Sequence, residues 1–124
     1  MIKGDICLAD FGKSKNSFEF GKKRPVLIFQ TDKLNLAVQE GIYDYFLVIP
    51  LSTKNDIVTD EFRYRISKRA MLQEESYAVC NSICFLPRSA LQEKVANLST
   101  KECLQIESIL KNLFDMAPEN DPKN

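Results

Sequence analysis

Histidine is absent from this chain of 124 residues. That removes the side chain best suited to proton transfer near neutral pH. Ser-His-Asp triads, Cys-His pairs and ribonuclease mechanisms built on His are excluded. Any catalysis must rest on Arg, Lys, carboxylates, hydroxyls or thiols. Metal chemistry is short of ligands too. The four cysteines, Cys7, Cys80, Cys84 and Cys103, include no C-x-x-C pair, so the usual zinc clusters are missing. No metal or cofactor is expected. The cysteines read as buried free thiols. Cys80 and Cys84, four apart, would share one face of a strand, which leaves a redox or disulfide role open.

No apolar run approaches the length needed to span a bilayer. The opening, Met1-Ile2-Lys3-Gly4-Asp5, carries no apolar signal core. A cytoplasmic location without a membrane partner is the expectation. Net charge is also lacking, with 17 Lys and Arg against 17 Asp and Glu. The balance hides an asymmetry: residues 1–69 hold 12 against 9, a net +3, and residues 70–124 hold 5 against 8, a net −3. The first half can face nucleic acid, but its charge does not demand it.

What is present suits one domain with one core, over residues 1–116. The polar tail, 117–124, has two prolines and is expected to be disordered. Residues 2–11 read as a first strand, with Ile6, Leu8 and Asp10 on one face and Cys7, Ala9 and Phe11 on the other. A polar loop, 12–23, interleaves Phe18 and Phe20 with Lys13, Lys15, Glu19, Lys22 and Lys23. Aromatics among cations suit stacking on a single-stranded nucleic acid; folding back onto the core is the other reading. The loop ends in three consecutive cations, Lys22, Lys23 and Arg24, set against Pro25 and an apolar strand over 25–30. An Arg at that junction is held on a rigid scaffold while its fork faces solvent or a phosphate.

Residues 31–41 read as a looser stretch. Strands are expected over 43–51, 62–66 and 77–85, then a short helical turn over 86–91 and a brief strand over 94–98. In 62–66, Phe62, Tyr64 and Ile66 alternate with Arg63 and Arg65, giving a cationic outer face. Ser99-Thr100-Lys101-Glu102 is a capping box, with Leu98 placed to staple onto Cys103. Cys103, Ile106, Leu110, Leu113 and Phe114 follow helical spacing as a buried stripe. Many short strands and one terminal helix predict a small, mostly antiparallel β-barrel capped by a helix.

The order of motifs is informative. Gly4-Asp5 comes near the start, then a polar loop ending Lys23-Arg24-Pro25-Val26-Leu27, then an apolar strand ending Pro50-Leu51-Ser52-Thr53. Ser76-Tyr77-Ala78-Val79 and Leu98-Ser99 follow in register, ahead of the terminal helix. Over residues 1–116 this arrangement resembles the MazF/PemK/Kid family of toxin ribonucleases. The resemblance implies an SH3-like barrel, a homodimer, and metal-independent, sequence-selective cleavage of single-stranded messenger RNA. It also implies an antitoxin partner whose acidic, extended segment occupies the RNA groove.

By the same resemblance Arg24 is the cation on the scissile phosphate. Ser52 is the second catalytic hydroxyl, with Thr53 in that place if the register slips by one. Phe18, Glu19, Lys22, Lys23, Asn81 and Ser82 are the expected RNA contacts. The chain departs from the family where many members carry E-Q-I-R. Here the stretch is Asn81-Ser82-Ile83-Cys84, so the Gln and the Arg are gone. Lys23, Arg63 or Arg65 can replace the missing cation; otherwise base preference shifts or activity weakens. Two further readings stay open: a non-catalytic member that binds RNA or antitoxin, and a gyrase-directed toxin acting through exposed apolar residues at the helix end, with Phe114 and Met116 as candidates.

Overall fold

The computed structural model describes residues 1–11 and 23–116. Its strands are β1 (Asp5–Asp10), β2 (Lys23–Ile28), β3 (Tyr45–Ser52), β4 (Arg63–Ile66), β5 (Ser76–Val79), β6 (Cys84–Pro87) and β7 (Leu91–Asn97). Two helices accompany them, α1 (Asp32–Gln39) and α2 (Thr100–Leu113). All seven strands join one antiparallel sheet in the order β4-β5-β3-β2-β1-β7, with β6 also on β3. The sheet coils until its ends approach: the Met71 amide, between β4 and β5, donates to the Val95 carbonyl of β7 at 2.9 Å.

Both faces of the central strands are buried, which explains their near-continuous apolar runs. Ile6, Leu27, Ile49, Leu51 and Ile66 form a larger cluster closed by Cys103 and Ile106 of α2. Cys7, Ala9, Val26, Ile28, Phe46 and Val48 form a second cluster on the opposite face, closed by Val38 of α1. Alternation along β1 and β2 sends neighbouring residues to different clusters, as expected of a strand.

Helix α1 is a correction to the loose stretch expected over 31–41. It buries Val38 and Asn35 rather than an apolar stripe. Asn35 Nδ2 donates to the Gln30 carbonyl at 3.0 Å, and Gln30 Nε2 donates to Asn35 Oδ1 and to the Tyr45 carbonyl. The strand expected over 77–85 is also corrected, because a 3₁₀ turn at Cys80–Ser82 divides it. Leu51 pairs with Ala78 and Val48 with Cys84, so three steps along β3 answer to six along the other chain segment. The turn takes up the difference. It sends Cys80 into the first cluster and leaves Cys84 against the second, so the two thiols share no face. All four cysteines are free.

The capping box of α2 is present as expected. Ser99 Oγ accepts from the Glu102 amide at 3.1 Å and Glu102 Oε1 accepts from the Ser99 amide at 2.9 Å. Leu98 and Cys103 are buried in one cluster. The far end differs: Phe114, expected in the buried stripe, is the C-cap residue and is 59% exposed. Among the described residues no helix is long and apolar enough to cross a membrane.

Candidate active site

Two prolines set the geometry at the open end of β2 and β3. The β2–β3 ladder pairs Ile28 with Val48, Leu27 with Ile49 and Val26 with Pro50, and stops there. Pro25 and Pro50 have no amide hydrogen to donate, so both backbones are free to part. Arg24 and Ser52 each lie two residues from that last pair, along β2 and β3, and so keep the face of their strand neighbours. Directly opposed residues of an antiparallel pair project to the same face. Arg24 and Ser52 therefore share the face of Val26 and Pro50, beyond the second cluster. Arg24 also pairs with Ala9 of β1 on that face.

Ser52 is half-buried. Its Oγ accepts the Lys54 amide at 3.1 Å, and the Lys54 carbonyl accepts Arg63 Nη1 at 2.6 Å. Arg63 thus anchors the turn that orients Ser52. An oxygen that accepts from the backbone keeps its own hydrogen available to donate.

Thr53 and Lys23 lie on the opposite side. They line an open groove of about 500 Å³ together with Leu8, Pro25, Glu74 and Glu93. Asn81 and Ser82 are exposed in the 3₁₀ turn between β5 and β6, while Ile83 packs inward. Phe18, Glu19 and Lys22 lie outside the described residues. Of the expected cations and hydroxyls, then, strand alternation places Arg24 and Ser52 on one face, while Lys23 and Thr53 line the groove on the other.

Cys84 packs against the second cluster, and burial raises its thiol pKa. Burial pushes the Cys7 and Cys80 thiols up to about 11. These thiols are protonated near neutral pH and are poor nucleophiles there. Among the described residues no group of three or more Cys, Asp or Glu side chains converges as a metal site would.

One residue on this face was not singled out from sequence. Tyr77 pairs with Ser52 across β3–β5 and with Arg65 across β4–β5. Its signal was the alternation in Ser76-Tyr77-Ala78-Val79, which buries Ser76 and Ala78 in full and Tyr77 in part.

The family model for PemK-like, MazF-like toxins of type II toxin–antitoxin systems matches residues 2–114. The chain belongs to that family. Solved structures agree in fold. The Mycobacterium tuberculosis toxin MazF-mt6 superposes with a TM-score of 0.70 at 18% identity, covering 92% of this chain and 99% of that one. MazE-MazF from Deinococcus radiodurans gives 0.72 at 16%, covering 94% and 97%. An endoribonuclease in complex with its cognate antitoxin, from Mycobacterial species, gives 0.69 at 14%, covering 95% and 96%. No curated protein matches by sequence. This PemK/MazF-like toxin therefore has the mainly antiparallel sheet and C-terminal helix of MazF.

Proposed function

We propose that this toxin is a cytoplasmic, metal-independent endoribonuclease that cuts single-stranded RNA at selected sequences. The observation that carries the reading is the shared face of Arg24 and Ser52 in a chain of this family. The ribose 2′-oxygen attacks the adjacent phosphorus as its proton passes to water, the bond to the leaving 5′-oxygen breaks, and that oxygen takes a proton from water, giving a cyclic phosphate and a 5′-hydroxyl. Negative charge builds on the nonbridging oxygens. Arg24 stabilises it with a cationic guanidinium fork. Ser52 donates its hydroxyl hydrogen to the same phosphate, held in place by the Lys54 amide. The partners that go with this reading are a cognate antitoxin and a second copy of the chain.

Incubation of the purified protein with a long single-stranded RNA in EDTA, with fragment ends mapped, tests the activity. Discrete cuts with cyclic phosphate ends support it. A folded protein that cuts none of several RNAs contradicts it and favours a binding-only member. A second reading has its own observation: Phe114 and Met116 are exposed at the end of α2, as a gyrase-directed toxin requires. Inhibition of gyrase supercoiling by the purified protein, lost in Phe114→Asp, would support that reading instead.

A further inference from the structure

The face that carries Arg24 and Ser52 continues across the sheet. Ser52 pairs with Tyr77, and Tyr77 pairs with Arg65. Opposed side chains leave the same face, so Ser52, Tyr77 and Arg65 form one transverse row. Adjacent strands lie about 4.8 Å apart, which puts Tyr77 one strand and Arg65 two strands from the hydroxyl. An RNA strand with its scissile phosphate at Arg24 and Ser52 can lay a neighbouring nucleotide along that row.

The chemistry of the row fits a nucleotide. Tyr77 is half-buried, leaving part of its ring accessible, and an aromatic ring stacks on any base. The Arg65 side chain is 72% exposed and paired with Glu75. Such exposed pairs are weak and exchange readily. A guanidinium fork matches a phosphate in geometry and charge. Arg63, the neighbouring cation, is committed to the Lys54 carbonyl, and Lys23 lines the groove on the opposite face. Of Lys23, Arg63 and Arg65, Arg65 is therefore the one in the row with Ser52.

We propose that Tyr77 and Arg65 form a nucleotide subsite beside the scissile position. The Tyr77 ring stacks on the adjacent base, and Arg65 leaves Glu75 to grip that nucleotide's phosphate. The inference rests on the ribonuclease reading above.

The test is fluorescence anisotropy with a labelled, mixed-sequence, single-stranded 2′-O-methyl RNA, whose blocked hydroxyl cannot attack. Cleavage of ordinary RNA is measured in parallel. Tyr77→Leu should weaken binding by about 5- to 150-fold, and Tyr77→Phe should restore it. Arg65→Gln should make the log–log salt dependence shallower by about 0.7, one phosphate contact on a single strand. Glu75→Gln should tighten binding. Lys101→Gln, at an exposed cation on α2, should change neither quantity. Tyr77→Leu and Arg65→Gln proteins that bind and cut like wild type overturn the subsite and leave the ribonuclease reading standing. A wild-type protein that neither binds nor cuts RNA overturns both.

Discussion

Ser52 and Thr53 adjoin in sequence, but Ser52 closes β3 and Thr53 sits in the bend after it and lines the groove, which separates their expected roles. Ser52 lies with Arg24, and its Oγ is fixed by the Lys54 amide. Thr53 lines the groove beyond β2 with Lys23. Ser52→Ala should lower the cleavage rate by about 100-fold, the scale of one preorganised donor. Thr53→Ala should leave the rate nearly unchanged. Single-turnover cleavage of one RNA by both variants measures the difference, and a larger loss in Thr53→Ala would put the register off by one. Gly4 makes a separate prediction. Its φ is +95°, and a Cβ there would meet Cys103 Sγ at 3.1 Å. Its amide also donates to the Ile28 carbonyl, and its carbonyl accepts from the Leu98 amide, both at 2.8 Å. Gly4→Ala should destabilise the fold by about 1–2 kcal/mol through the left-handed backbone alone, read as a lowered urea midpoint.

At the scale of elements, the start of α2 is the best-defined joint in the chain. Glu102 closes the capping box and also receives both Arg69 Nη atoms, at 2.6 and 2.8 Å. The Arg69 hydrogen bonds, aided by those of Ser99, hold the Glu102 pKa at about 2 despite some desolvation. A carboxylate depressed in the folded state contributes stability above its unfolded pKa. That contribution is lost as pH falls from about 4.5 towards 2. Glu102→Gln should therefore flatten the acid side of the stability profile in that window. Denaturant melts of both proteins between pH 2 and about 6 check it, and parallel profiles would show the pair to be inert.

This joint was legible in sequence, since a cap and its partner lie three residues apart. The central strands were legible because Val, Ile and Leu runs flanked by Pro and polar turns have few other outcomes. Helix α1 was not legible. Its alternating Leu34, Leu36 and Val38 follow the strand period rather than the helical one, and its buried anchor is Asn35 in a hydrogen-bond network with Gln30. The break at Cys80–Ser82 was hidden for a related reason. The flanking Ala78, Val79, Ile83 and Cys84 are apolar enough for one continuous strand, and the turn shows only in the pairing of both segments to one long β3. The place of Arg24 and Ser52 along the chain was visible, whereas their common face came from the register of β2 and β3.

For the molecule as a whole, the exposed apolar surface points to self-association. Tyr45 and Phe85 lie on one side of the β3–β6 ladder, and Phe114 and Met116 are exposed at the end of α2. A homodimer belongs with the proposed function. Sedimentation at micromolar concentration should find two copies, Phe85→Asp or Phe114→Asp should shift the protein towards monomer, and a wild-type monomer would contradict the assembly.

The central claim is that chemistry occurs on the face of Arg24 and Ser52. Its most direct test is the initial rate of RNA cleavage by Arg24→Ala beside wild type, in EDTA, with both proteins shown to be equally folded. Arg24 is exposed at the strand end, outside both apolar clusters, so its removal should leave the fold intact. The account predicts a loss of about 100-fold or more in rate, with the same cut sites in any residual product. An Arg24→Ala protein that cuts the same RNA at the wild-type rate would contradict it and place the chemistry elsewhere on the molecule.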